Sequence, residues 1–219
     1  MTMNFEQARH NMVEQQVRTW EVLDARVLSL FESIQREDFV PVRYRKMAFA
    51  DLHIPLEHDE FMMKPIVEGR LLQAVDIQPE ETVLEIGTGS GFVTACLARL
   101  AKQVVSVDIH ESFTQRAREL LGEKDINNVE LFTGDVMSGW QPEQAQDVVV
   151  VTGSVPSVPE AFMGWVNPGG RLFCIVGESP AMEAWLFTRL NATEWRRECL
   201  FETDLPALIN AETAPEFEF

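Results

Sequence analysis

From residue 82 onward the chain alternates short apolar runs with longer stretches of helical period. The runs 82–86, 103–107, 129–133, 147–152 and 171–176 are rich in Val, Ile, Leu and Phe, and they predict buried strands. Apolar residues at helical spacing between them predict helices over 91–101, 111–122 and 158–165. Such alternation is the signature of a parallel sheet with helices on both faces. After Gly177 the period changes. Residues 185–190 and 195–203 read as two strands joined by a tight turn at Asn191-Ala192-Thr193, an antiparallel end to the sheet.

The first part of the chain is helical. Residues 4–20 can be laid on a helix with Phe5, Ala8, Met12, Val17 and Trp20 on one face. Asp24 is a candidate N-cap for a second helix carrying Val27, Leu28, Leu30, Phe31 and Ile34. Residues 43–65 show no sustained period and predict a long loop, a kind that is usually functional. Ile66, Val67, Leu71, Leu72 and Val75 predict a third helix over 66–75. Residues 1–78 thus form a cap and loop, 79–204 an α/β core, and 205–219 an acidic tail whose last residues are expected to be loosely held.

The turn out of the first core strand carries the chemistry. Gly87-Thr88-Gly89-Ser90-Gly91 separates the strand from its helix, and glycines there let bare backbone approach a ligand. A dinucleotide fingerprint from Gly87 would need glycine at 92, where Phe92 stands. Glu85 lies inside the feeding strand, and its carboxylate suits an ammonium group. The combination resembles motif I of the class I S-adenosylmethionine (SAM) methyltransferases. Asp108 ends the second strand, where a carboxylate accepts both hydroxyls of a ribose. Asp135 and Val136 follow the third strand and suit an adenine edge. Thr88, Ser90, Ile109 and Thr152 complete the expected cofactor contacts, and Ser154 is a candidate acceptor-side hydroxyl.

Composition narrows the setting. With 46% hydrophobic and 24% charged residues the chain reads as an ordinary globular protein, without an apolar run of membrane-spanning length or a signal-peptide pattern at its start. The net charge of -17 argues against a nucleic-acid surface and an anionic membrane face. Cys96, Cys174 and Cys199 are too widely spaced for a disulfide framework or a zinc site, and no metal is expected. A cytoplasmic location is the expectation. Oligomeric state is not legible.

Longer stretches point to a narrower family. VLEIGTGSGFVTACLARLAKQVVSVD, NVELFTGDVMSGW, DVVVVTGSVPSVPEAF and NPGGRLFCIVGE, with REDFVP, Phe49-Ala50-Asp51 and Ile54-Pro55-Leu56 before them, resemble the protein-L-isoaspartate O-methyltransferases over about residues 12–204. The resemblance implies a Rossmann-like, mostly parallel seven-stranded sheet with a helical N-terminal cap. It also implies SAM-dependent methylation of the free carboxylate of isoaspartyl residues in damaged proteins.

One segment departs from the pattern. Where the family carries Thr-Ile-Ser-x-Pro, this chain has Phe61-Met62-Met63-Lys64-Pro65, so Met63 takes the position of the acceptor-site serine. Lys64 is then a candidate partner for the carboxylate. His58 and Asp59 in the same loop are candidate bases for a less acidic acceptor. A different acceptor, or SAM binding without turnover, are the alternatives this departure raises.

Overall fold

The computed structural model describes residues 3–211. Helix α1 (Phe5–Met12) starts at Asn4, whose side chain accepts the Gln7 amide, and runs into a π-helical turn (Val13–Val17) and a 3-10 turn (Arg18–Trp20). The wider π turn accommodates the five-residue step from Met12 to Val17 and keeps both buried. Trp20 is not on that face; it is 56% exposed, so the predicted stripe ends a turn early. Helix α2 (Ala25–Ser33) begins as expected, with Asp24 accepting the Arg26 amide.

The stretch expected as a loop has order of its own. A 3-10 helix spans Val42–Met47, and β1 (Ile54–Pro55) pairs antiparallel with β2 (Phe61–Met62). Helix α3 (Pro65–Val75) follows at once, with Pro65 where no helical amide is needed. A buried fork fixes this region: Arg36 donates to both carboxylate oxygens of Glu68 and to the carbonyls of Ala48 and Met63.

The core alternates as the apolar runs require: β3 (Thr82–Ile86), α4 (Phe92–Leu100), β4 (Gln103–Asp108), α5 (Glu111–Glu123), β5 (Val129–Thr133) and β6 (Gln146–Val155). Helix α6 (Glu160–Gly164) is shorter than predicted and sits between Pro159 and Trp165. Strands β7 (Val166–Glu178), β8 (Ala181–Arg189) and β9 (Trp195–Thr203) complete a seven-stranded sheet of order β5-β4-β3-β6-β7-β8-β9. Within this sheet only the β7–β8 and β8–β9 pairs are antiparallel. The core strands pack the cap and α4 on one face, through Val83 and Val148, and Phe162 of α6 on the other, through Leu84 and Val149.

Strand order reverses between β3 and β6, which opens a crevice at their carboxyl ends. After β9 the chain returns across that edge. The Ser154 amide donates to the Pro206 carbonyl, and the Leu208 amide donates to the Ser154 carbonyl. Residues 205–211 are therefore a strap over the strand ends rather than a free tail. The tail's last residues, 212–219, lie outside the described residues. Cys96 and Cys174 are buried and Cys199 is exposed. No helix among the described residues is long and apolar enough to cross a membrane.

Candidate active site

The crevice is built first from backbone. Gly87 adopts φ +97, and a Cβ there would lie 2.3 Å from Thr152 Oγ1, so only glycine fits. That hydroxyl donates to the carbonyls of Ile86 and Gly87 at 2.9 and 2.5 Å and ties the loop to β6. At the far end Gly91, with φ +82, starts α4 against Ala117. Thr88 and Ser90 turn their side chains inward. The Thr88 hydroxyl meets that of Ser106, and Ser90 Oγ accepts the Phe92 amide.

Asp108 reaches the crevice from the end of β4. One carboxylate oxygen accepts the Gly89 amide at 2.8 Å and the other the His110 amide at 2.9 Å. Burial raises its pKa against these bonds. Asp135 lies beyond β5, accepting from the Met137 amide and from Asn210 of the strap. Burial pulls the Asp135 carboxyl upward, but bonds from Asn210, Ser138 and Met137 outweigh it and leave the pKa lowered.

Together these groups line a cleft enclosing about 710 Å³ of empty space, part of it open to solvent. Gly87, Gly89, Asp108, Ile109, Asp135, Val136 and Thr152, all expected, line it. Glu85, expected at an ammonium group, does not. The pleat turns its side chain behind the loop, where it is fully buried and accepts from Thr94 and Ser106. Desolvation pushes its pKa up to about 8, which favours the protonated form at neutral pH and a structural role.

Several lining residues escaped the sequence reading. Glu60 projects from the β1–β2 turn beside Asp108; burial and then the Asp108 charge raise its pKa. His58, expected as a base, instead stacks on His110 with ring centroids 4.1 Å apart and bonds Ser112. The stack clasps the loop to the start of α5, edge-on to Phe113. His110 directly follows the Asp108–Ile109 pair, the one local signal available. Leu205 to Ile209 of the strap close the remaining wall.

A second cavity, lined by His53, Phe61, Glu178, Ser179, Met182 and Asp204 among others, shares Phe61, Leu205, Pro206 and Ala207 with the cleft. Phe61, at the family's threonine position, is 41% exposed on that shared wall. Met63 is not there. It is 4% exposed in the core, its carbonyl held by Arg36 at 2.6 Å. Lys64 is half-buried at the N-terminus of α3, outside the lining of either cavity. Ser154 is fully buried and its hydroxyl donates to the Leu205 carbonyl, so it anchors the strap and is not an acceptor-side group.

The cleft's chemistry suits SAM. A carboxylate held by two amides offers lone pairs to a ribose diol, while Ile109, Val136 and Leu208 supply apolar walls for a base. The three lining acids, Glu60, Asp108 and Asp135, favour a cationic ligand.

Comparison with known proteins agrees. The family model for protein-L-isoaspartate(D-aspartate) O-methyltransferase matches residues 7–202. A protein-L-isoaspartate O-methyltransferase of Myxococcus xanthus is 38% identical over 156 residues, 71% of this chain and 74% of its own. One from Koribacter versatilis is 34% identical over 201 residues, 92% of this chain and 90% of its own. A Plasmodium falciparum chain solved in complex with S-adenosyl-L-homocysteine shares the fold, with a TM-score of 0.79 at 15% identity, covering 94% of this chain and 99% of its own. The chain belongs to the protein-L-isoaspartate(D-aspartate) O-methyltransferase family and is a SAM-dependent methyltransferase.

Proposed function

We propose that this enzyme transfers the methyl group of SAM to the free carboxylate of an isoaspartyl residue in a damaged protein. The observation that carries this reading is the shared wall: Phe61, Leu205, Pro206 and Ala207 bound both the cofactor cleft and a second cavity through which an acceptor can enter. In that arrangement Asp108 would hold the ribose hydroxyls, Asp135, Val136 and Ile109 would take the adenine, and the Gly87–Gly91 backbone would take the amino-acid tail. SAM bound there would supply an electrophilic methyl group for the carboxylate oxygen, the carbon–sulfur electron pair leaving with sulfur. An isoaspartyl carboxylate is already ionised at pH 7, so no base is required and the enzyme's part is positioning and exclusion of water.

Lys64 lines neither cavity and reaches the acceptor side only through its charge, which is felt at His53. The strap 205–211 acts with the 79–204 core, and the 1–78 cap carries the acceptor side. The three unpaired cysteines fit a cytoplasmic setting.

One observation favours a second reading. Glu178 and Asp204 line the acceptor cavity and oppose an anionic acceptor, which points to a neutral one. Radiolabelled methyl transfer to an isoaspartyl peptide and its aspartyl twin decides between them. Label in the isoaspartyl peptide alone is expected; label in neither, from protein that binds SAM, would remove the repair reading.

A further inference from the structure

The segment that carries the family's Thr-Ile-Ser-x-Pro pattern has lost both of its hydroxyls, since Phe61, on the wall of the acceptor cavity, and Met63, in the core, stand in their positions. Something else must hold the acceptor. Among the side chains lining this cavity, His53 is the one that has an N–H to donate. Ser179 already donates to Asp204, and Glu178 and Asp204 are acids. His53 stands next to the aromatic wall, with its ring centroid 6.4 Å from that of Phe61. Its Nε2 is buried and, among the described residues, has no hydrogen-bond partner. A buried polar atom left unpaired is costly, and a native structure that keeps one calls for an explanation.

We infer that His53 is the acceptor-binding residue of this enzyme, donating a ring N–H to the isoaspartyl carboxylate in place of the missing hydroxyls. The inference rests on the isoaspartyl reading above. Nε2 is buried in the free enzyme, so a turn of the imidazole would bring it into the cavity, where a carboxylate gives it the partner it lacks. The charged groups around His53 are consistent with this role. Burial, then the Lys64 charge, lower its pKa, while Asp204 and Asp51 oppose them. The charged ring is thus disfavoured in the free enzyme. An arriving carboxylate favours its protonated form, so peptide binding tightens as pH falls. His53 does not line the cofactor cleft, so cofactor affinity is expected to be independent of it.

Steady-state kinetics with an isoaspartyl peptide at saturating SAM test this, with calorimetric SAM titration as the control. His53→Ala should raise the peptide KM about 10- to 100-fold, the range for losing a hydrogen bond to a charged group, and leave SAM affinity unchanged. His53→Gln keeps an N–H donor and should recover most of that loss to within ~2-fold, while abolishing the rise of KM with pH that is expected of wild type. An unchanged peptide KM in His53→Ala, with wild type turning the peptide over, would overturn the inference alone. Absence of isoaspartyl methylation by wild-type protein that binds SAM would overturn the functional reading, and this inference with it.

Discussion

The cofactor cleft and the proposed acceptor cavity share a wall but are made differently. In the cleft, the groups that face a ligand are fixed by main chain. Asp108 takes an amide on each oxygen, Thr152 grips two carbonyls, and Gly87 sits where no Cβ fits. In the acceptor cavity the wall is side chain: an exposed Phe61, a His53 whose Nε2 has no partner among the described residues, and the acids Glu178 and Asp204. Main-chain geometry tolerates few residues, whereas a side-chain wall can be rebuilt without disturbing the cleft. That difference explains how a chain can keep the glycine loop intact and lose both acceptor-site hydroxyls.

The sharpest way to break the cleft is Gly87→Ala. A positive φ and a 2.3 Å approach to Thr152 act together, and SAM binding should disappear by calorimetry, with about 1–3 kcal/mol of stability lost as backbone strain. Retained binding would show that the loop is not held as described. The acceptor side behaves otherwise. Met63→Ser, which restores the family residue, removes a buried side chain and should cost about 2–5 kcal/mol in chemical denaturation without raising isoaspartyl activity. A gain in activity there would mean that residue 63 faces the acceptor after all.

Glu85 offers a pH test behind the loop. Its pKa rises from 4.5 in the unfolded chain to about 8 in the fold, so between those values the folded protein holds a proton that the unfolded chain releases. Stability from this group therefore falls as pH rises through that window and levels off above it. Glu85→Gln cannot ionise. Its Tm should match wild type near pH 5 and exceed it at pH 8, and a difference independent of pH would refute the assignment. The smallest effect belongs to Ser154→Ala, which frees one bond to the strap and should lower stability by about 1 kcal/mol while leaving the chemistry intact. A loss of turnover at saturating substrates would return Ser154 to the acceptor side.

Most of the sheet was legible because parallel strands buried on both faces must be apolar throughout, as Val148 to Val151 are. Asp108, Ile109, Asp135 and Val136 were legible for a related reason: strand ends in such a sheet converge on one edge. What escaped depends on contacts far apart in sequence. Ser154 meets Leu205 to Leu208 across about fifty residues, and nothing local in 205–211 announces a strap. Glu85 was misplaced because a pleat direction cannot be read from a strand buried on both faces. Met63 was misplaced because its orientation is set by Arg36, a residue of the cap. The β1–β2 ladder has two residues per strand, too short to show alternation.

The most direct test of the cleft is calorimetric titration of SAM into wild-type and Asp108→Ala protein, with circular dichroism confirming that both are folded. Loss of a charged acceptor for the ribose should weaken binding about 10- to 150-fold, equivalent to 1.5–3 kcal/mol. Equal affinity in the two proteins would contradict the cleft assignment at its centre.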